Sequence, residues 1–289
     1  MISEIALNAA AGGVLGLLIG SFLNVVIHRI PRMMEQEWHG ECVQWAEEQK
    51  EKGAKIELAP AQSPITLSKP RSRCPHCGHQ IAWYENIPVL SYLFLRGRCA
   101  ECKKPISLRY PAIEIVCAAL FAFCLARDGL TPTGFAWCGF SAALLALAML
   151  DWDTTFLPDS ITLPLLWGGL LASALQWTSV PLLNSFWGAV AGYMSLWLIF
   201  WAFKLATGKE GMGYGDFKLF AALGAWFGWQ ALVPIILMAS VVGAIIGIAL
   251  KINSKLREGG YVPFGPFLAG GGFVSLIWGP QAILGFVGL

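Results

Sequence analysis

Two short acidic motifs beside long apolar runs carry the chemistry of this 289-residue chain. Segment 150–153 reads Leu-Asp-Trp-Asp and ends one run, and segment 211–216 reads Gly-Met-Gly-Tyr-Gly-Asp and precedes another. Ionisable groups at membrane depth are costly and usually functional. Two carboxylates a few ångströms apart share one proton, so one can activate a water while the other protonates a carbonyl oxygen. We therefore predict that Asp151 and Asp216 together hydrolyse a peptide bond.

Each of these acids has an alternative interpretation. Asp153 could replace Asp151 as the catalytic acid, although Asp151 adjoins the apolar run and is expected to lie deeper. Asp216 could simply cap the helix that follows a flexible loop. The glycines of segment 211–215 favour a catalytic Asp216, because glycine permits positive φ and leaves room for an extended peptide beside the acid. The sequence contains neither a G-x-S-x-G nor an H-E-x-x-H motif that could compete for the hydrolytic role.

Membrane helices must position these acids. The chain is 56% hydrophobic and 13% charged, against roughly 25% charged residues in globular proteins. Residues 160–203 and 219–250 contain no charge at all, and about 20 apolar residues suffice for one helical crossing. We predict an all-α polytopic membrane protein whose eight helices lie at Ile5–Ile27, 111–127, 132–150, 160–177, 185–204, 217–229, 232–251 and 262–282. The glycines at 12, 13, 16 and 20 predict close helix packing in the first.

The cationic residues orient these helices. With the amino terminus outside, the inner loops are 29–110, 151–159, 205–216 and 252–261. The inner loops and inner helix ends then hold 19 of the 20 Lys and Arg residues and leave only Arg127 outside. Cytoplasmic loops carry such an excess, so both acidic motifs are predicted to face the cytoplasm. The predicted domains are a first helix (1–28), a cytoplasmic domain (29–110) and a seven-helix domain (111–289), with no nucleic-acid partner.

Four cysteines in the polar domain form two C-x2-C pairs separated by 21 residues: Cys74, Cys77, Cys99 and Cys102. This spacing predicts a structural zinc site, because four thiolates complete a tetrahedral shell and leave no open position for substrate. Disulfides or free thiols are the alternative, which a reducing cytoplasm disfavours. His76 and His79 are expected to be bystanders. Segments 83–88 and 91–93 are expected to form short strands or turns over the metal.

Several other residues receive structural interpretations. Asp159 is expected to cap the fourth membrane helix, and Glu114 to pair with Arg109 or, alternatively, to line the site. Segment 35–57 is expected to form a helix lying on the membrane surface or on the neighbouring cysteine module, or alternatively in solvent. The remaining helical cysteines are expected to be small buried apolar groups; they are Cys117, Cys124 and Cys138.

The sequence resembles the type IV prepilin peptidases, bifunctional bacterial leader peptidase/N-methyltransferases. The resemblance runs nearly end to end and includes both cysteine pairs, GSFLNVVIHRIP at 20–31, LRGR at 95–98, LPD at 157–159, GYGDFK at 213–218 and PFGPF at 263–267. It implies an eight-helix membrane aspartic protease of the presenilin-like GxGD class, with Asp151 and Asp216 as its catalytic aspartates. It also implies an inner-membrane location with both termini periplasmic and the active site facing the cytoplasm.

The resemblance further implies the substrates and a second activity. The substrates would be type IV prepilins and type II secretion pseudopilins, cleaved after the glycine that ends a short basic leader. The new amino terminus would then be methylated with S-adenosylmethionine. The residues that bind this methyl donor are unknown; the zinc-binding loop, near Gly97 and Arg98, is their expected location. Two alternatives stay open from the residues alone: a proton- or cation-coupled transporter that uses the buried acids, and a structural assembly protein without chemistry.

Overall fold

The computed structural model describes residues 2–51, 64–253 and 262–287. Most of these residues are helical and none lies in a β-strand; among them two isolated antiparallel bridges occur, Arg73–Gln80 and Arg98–Pro105. The α-helices in chain order are α1 (Ile2–Glu51), α2 (Leu90–Phe94), α3 (Arg109–Asp128), α4 (Pro132–Thr154), α5 (Asp159–Ala174), α6 (Leu182–Thr207), α7 (Tyr214–Phe227), α8 (Leu232–Ile252), α9 (Gly265–Trp278) and α10 (Pro280–Val287).

The membrane character of the fold is confirmed, whereas the predicted count of eight crossings stays a prediction. Five described helical segments are long and apolar enough to span a bilayer: α1, α3, α4, α6 and Trp229–Ile252, which contains α8. Helices α5, α7 and α9 also form where helices were predicted, with 16, 14 and 14 residues. At 1.5 Å per residue they are shorter than the roughly 30 Å hydrocarbon layer.

Two helix boundaries differ from prediction. Helix α1 runs without interruption from Ile2 to Glu51 through Pro31, where two separate helices were predicted. One proline removes a single backbone donor, and a long cooperative helix can tolerate that loss. The predicted end of the second helix, at 57, lies outside the described residues. The last predicted helix, 262–282, is instead two helices, because Gly279 takes a φ of 84° and a proline begins α10.

The first compact unit comprises the described residues of Met1–Gly12 and Leu120–Leu289. Helix α7 is its centre and packs against α5, α6 and α9. Although α7 is short, its residues from Asp216 to Trp226 are buried except Lys218, as expected for a helix that is apolar on most of its circumference. At the α6–α7 crossing Gly188 faces Gly224 so closely that neither position has room for a Cβ.

The second compact unit is Gly13–Ala119, within which 52–63 are not described. A Cβ on Gly20 would lie 2.7 Å from the Cα of Glu114, so this glycine brings α1 and α3 together. Arg29, 8% exposed, donates hydrogen bonds to the carbonyls of Thr66 and Pro70 at 2.7 and 2.6 Å and holds this segment on α1. In the first unit Gly12 lies equally close to the α3 backbone. The predicted close packing of α1 is therefore confirmed at Gly12 and Gly20, whereas Gly13 has no neighbour within 4 Å.

Candidate functional site

Asp151 lies in the last turn of α4, not in the loop where it was predicted. The helix continues past position 150 to Thr154 and ends where Thr155 adopts a left-handed conformation. Asp151 is 4% exposed, and its Oδ2 accepts a hydrogen bond of 2.9 Å from the backbone N–H of Gly265 at the start of α9. The end of one membrane helix and the start of another thus fix one oxygen of this carboxylate.

Asp216 lies in the first turn of α7 and is also buried. Its Oδ2 accepts a hydrogen bond of 3.2 Å from Gly213 N–H, so the acid does cap its own helix, as the alternative interpretation expected. Its Oδ1 is buried and has no hydrogen-bond partner among the described residues. Burying a carboxylate oxygen without a partner costs free energy. Helix capping accounts for the position of Oδ2 but not for the burial of Oδ1.

The glycines before Asp216 act differently from the prediction. None of Gly211, Gly213 and Gly215 adopts a positive φ. Gly215 is instead required by packing, because a Cβ there would lie 2.7 Å from the Cβ of Leu157. Gly215 therefore permits the close approach of a neighbouring side chain, and none of the three glycines supplies a positive φ.

Leu157 connects the surroundings of the two acids. It is 5% exposed and contacts Gly215, one residue before Asp216. A Cβ on Gly265 would lie 3.3 Å from Leu157 Cδ1 and 2.7 Å from Asp151 Oδ2. One leucine side chain thus packs against both glycine-containing segments that hold the acids.

The two acids also interact electrostatically. Asp216 lies outside the five candidate spans and before the predicted helix 217–229. Burial, followed by the negative charge of Asp151, raises the pKa of Asp216 to about 7 against the opposing effect of the Gly213 N–H. The structure therefore brings both predicted acids into one buried site in which a proton is retained near neutral pH. Their catalytic role stays a prediction.

The other acids of the membrane region have separate roles. Asp153 is exposed. The predicted capping by Asp159 is wrong, because Asp159 lies inside the first turn of α5 after Pro158 and pairs with Lys218 Nζ at 2.6 and 2.7 Å. Glu114 accepts a hydrogen bond of 2.7 Å from the backbone N–H of Val89. Its proposed pairing with Arg109 stays a prediction.

The four predicted ligand cysteines form one cluster. Their Sγ atoms all lie within 4.8 Å of one another, with Cys74–Cys102 at 3.8 Å and Cys77–Cys99 at 4.0 Å. A tetrahedral zinc site with Zn–S bonds of about 2.3 Å has S–S edges of roughly 3.8 Å, so the cluster fits this ion. The thiols are free and form no disulfide. The chain therefore has a four-cysteine site that could bind zinc.

The residues around this cluster support a purely structural site. His79 contacts Glu85 at 3.0 Å and Glu101 at 3.4 Å and is not one of the clustered ligands. The Ala82 N–H, aided by His79, lowers the pKa of Glu85, which keeps this partner ionised. Of the expected strands or turns, these segments form no strand: Trp83–Asn86 is a single 3-10 turn and 90–94 is α2. The cysteines of α3 and α4 are buried, as predicted: Cys117, Cys124 and Cys138.

Neither of two clefts described in the second unit has a lining that fits the sulfonium of S-adenosylmethionine. This cofactor carries a cationic sulfonium. The larger described cleft of the second unit, about 430 Å³, is lined by three cations together with Phe94, Leu95 and Cys99. A second cleft, about 230 Å³, has two arginines in its lining. Arg98 lines the larger cleft and Gly97 packs on the Tyr92 ring; their link to methyl transfer stays a prediction.

Comparisons with known proteins match nearly the whole chain. Residues 14–127 match the family model of the bacterial peptidase A24 N-terminal domain, and residues 138–248 match that of the type IV leader peptidase family. A prepilin leader peptidase/N-methyltransferase of Stutzerimonas stutzeri is 48% identical over 93% of this chain and 90% of the relative. No solved structure matches the chain.

Relatives from other bacteria carry the same name. One from Aeromonas hydrophila is 50% identical over 91% of this chain and 88% of the relative. One from Burkholderia pseudomallei is 49% identical over 92% of this chain and 84% of the relative. With identities this high over nine-tenths of its length, the chain belongs to the type IV leader peptidase family.

Proposed function

We propose that the chain is a membrane-embedded aspartic endopeptidase that removes the leader peptide of type IV prepilins and type II secretion pseudopilins and then N-methylates the new amino terminus. The names of its relatives support both activities. The observation that carries the peptidase is the buried pair Asp151 and Asp216, each with one oxygen held by a backbone N–H. Nothing in the comparisons favours the transporter.

The two carboxyls divide the acid–base work. A proton resides on the pair near neutral pH, because burial and the charge of Asp151 raise the pKa of Asp216. Its Oδ1 is the oxygen without a partner among the described residues, and it is the atom from which the proton can pass to the scissile carbonyl oxygen. Ionised Asp151 accepts a proton from the attacking water as the C–O bond forms. It then returns this proton to the leaving nitrogen as the C–N bond breaks, while a hydroxyl of the tetrahedral intermediate returns its proton to Asp216 as the C=O bond re-forms.

The site faces the cytoplasm in this proposal. A multi-pass protein of the bacterial inner membrane, with both termini periplasmic, would place 19 of its 20 Lys and Arg residues on the cytoplasmic side. A prepilin anchored in the same membrane, with its basic leader on that side, would present its cleavage site near this edge. The acids lie at the end of α4 and the start of α7, where both helices leave their apolar segments.

The polar segment 29–110 forms the zinc-binding domain and carries methyl transfer, between the first helix at 1–28 and the peptidase domain at 111–289. Cys74, Cys77, Cys99 and Cys102 would hold Zn²⁺ through four thiolates. The ion would supply a cross-link between the two cysteine pairs and no reactive position, because its shell is complete. Methyl transfer from S-adenosylmethionine is supported by the names of the relatives.

Substitution of each acid tests the peptidase. Asp151→Asn and Asp216→Asn keep the side-chain shape but remove the proton transfers, so each should lower prepilin cleavage by about 100- to 10,000-fold. Asp153→Asn is the matched control, because Asp153 is exposed two residues from Asp151, and it should retain cleavage. The measurement is the conversion of purified prepilin by purified enzyme in lipid nanodiscs. Substantial cleavage by both Asp151→Asn and Asp216→Asn would refute the proposed dyad. Loss of cleavage in Asp153→Asn, with activity retained in Asp151→Asn, would assign the catalytic role to Asp153.

A further inference from the structure

Helix α2 in the cysteine-containing unit exposes an apolar face. Leu90, Leu93 and Phe94 are 53, 64 and 85% exposed, although they make up most of this five-residue helix. Trp83, shortly before the helix, is 77% exposed. A cluster of large apolar side chains on the surface commonly marks contact with a membrane or another protein.

This helix is attached to the beginning of a membrane-spanning helix. Val89, directly before α2, donates a hydrogen bond of 2.7 Å to Glu114 of α3. The hydroxyl of Tyr92 donates to the carbonyl of Ile106, three residues before α3, at 3.3 Å. Two hydrogen bonds therefore fix the position of α2 relative to α3.

The depth of α2 along the membrane normal can be inferred from the length of α3, to which it is attached. Its 20 residues extend about 30 Å, which equals the hydrocarbon thickness, so Arg109 and Tyr110 lie at one membrane interface. Helical side chains lean toward the amino-terminal end of their helix, and Glu114 thus reaches back toward this interface. The exposed side chains of α2 are consequently held at the level of the lipid head groups.

A cationic cleft adjoins the apolar face. It has a volume of about 430 Å³, and Phe94 and Leu95 line it together with Arg96, Arg98, Cys99 and Lys103. Its lining contains three cations and no acidic side chain. Within the part of the chain that the structure describes, no acidic side chain pairs with Arg96 or Arg98. A site of this composition favours an anion that is attached to an apolar group.

We propose that α2 and this cleft form a lipid-binding surface at the membrane interface. Leu90, Leu93 and Phe94 enter the interfacial layer, and the three cations bind the phosphate of an anionic phospholipid. Large apolar side chains at the interface and Lys or Arg residues near anionic lipids are both known to stabilise such contacts. The proposal rests on the membrane insertion of α3 and not on the peptidase or methyltransferase activity.

Lipid selectivity of the purified full chain tests the cleft. Native mass spectrometry would count the phosphatidylglycerol and phosphatidylcholine molecules retained by the wild type and by the triple variant Arg96→Gln, Arg98→Gln, Lys103→Gln. We expect a preference for phosphatidylglycerol that falls at least about fivefold in the triple variant. A matched triple variant outside the cleft, Lys50→Gln, Lys69→Gln, Lys209→Gln, should keep the preference. Zinc content equal to the wild type would show that the unit is folded.

Three outcomes of this experiment would overturn the cleft assignment. They are equal retention of the two lipids, equal loss of selectivity in both triple variants, and a preference unchanged in the cleft variant. Displacement of phosphatidylglycerol by millimolar inorganic phosphate would identify a site for free phosphate, which would also contradict a lipid site.

Photo-crosslinking tests the apolar face independently. A photoreactive phenylalanine analogue at position 93, in protein reconstituted into phosphatidylglycerol nanodiscs, should form adducts with lipid acyl chains. The same analogue at position 76 is the control, because His76 is exposed in the same unit but outside α2, and it should form none. Absence of lipid adducts at 93, or equal adducts at both positions, would reject insertion of α2.

Discussion

The backbone N–H of Gly265 donates a hydrogen bond to Asp151 Oδ2 at 2.9 Å, although the two residues are 114 positions apart. It joins the start of α9 to the end of α4 and fixes the orientation of one acid. A glycine is required here, because a Cβ at this position would lie 2.7 Å from the carboxylate oxygen. The PFGPF segment therefore belongs to the site although it contains no ionisable residue.

Gly265→Ala should displace Asp151 while leaving both acids in the chain. Because an error of about 1 Å in a catalytic geometry can cost 100-fold in rate, we expect prepilin cleavage to fall by about that factor. Gly270→Ala in the same helix is the control, since a Cβ there meets nothing within 4 Å. Steady-state cleavage in nanodiscs is the measurement. Wild-type activity in the Gly265 variant would show that this contact does not position the acid.

Leu157→Ala should loosen the packing between the Gly215 and Gly265 segments. A buried Leu→Ala change costs about 2–5 kcal/mol in stability, and the freed segments should lower kcat more than they raise KM. Leu163→Ala, 40% exposed on α5, is the control and should change neither constant. Thermal unfolding and steady-state kinetics of both variants check this. A rise in KM with kcat unchanged would indicate that Leu157 contacts the substrate and does not position the acids.

Stability should fall as pH rises from about 4 to 7, and Asp216 should be a main cause. The pKa of Asp216 is raised from an ordinary value near 3.9 to about 7 in the folded protein. The folded state therefore binds more protons in this window, so the free energy of unfolding decreases with pH and levels off above it. The unfolding midpoint of Asp216→Asn should change less between pH 5 and 8 than that of the wild type.

Asp151→Asn should reduce this pH dependence only in part, because burial is the larger cause of the raised pKa. Asp153→Asn should leave it as in the wild type. The same titration should lower peptidase activity above pH 7, as the pair loses the proton that it donates. An unfolding profile in Asp216→Asn identical to that of the wild type would contradict a protonated Asp216.

Cys77→Ser should abolish zinc binding, because three thiolates and a hydroxyl do not complete the preferred shell. Metal analysis should find about one zinc per chain in the wild type and none in the variant. We expect methyl transfer to be lost and cleavage to be largely retained. Cys42→Ser, an exposed cysteine outside the cluster, should keep both. Equal loss of both activities in a variant that remains folded would contradict this division of roles.

The sequence sufficed to predict that Asp151 and Asp216 interact in one site, because charge is rare beside long apolar segments and both motifs stand out; their catalytic role stays a prediction. It also predicted the four-cysteine cluster, since sequence spacing largely determines which thiols can meet. Each predicted membrane segment contains a helix, because apolar composition requires one in lipid. All three features depend on short, local sequence patterns, which is why they could be predicted.

The contacts that shape the site could not be predicted in the same way. Leu157 and Gly265 meet the acids only through tertiary packing, and their motifs gave no indication of which partner they contact. The role of Gly215 was misjudged, because a glycine pattern does not distinguish a positive φ from a close approach. The predicted gap between the helices at 5–27 and 35–57 is also wrong, because the cooperativity of a long helix maintains one continuous helix.

Helix α1 is long enough that a small tilt of its membrane-spanning part displaces its far end considerably. Its 50 residues extend about 75 Å, and about 30 Å of that crosses the hydrocarbon layer. A change of about ten degrees in the tilt of a rod with some 45 Å beyond the bilayer displaces its far end by about 8 Å. Small rotations of the first span would therefore become large displacements around Trp45, which any partner bound there would have to follow.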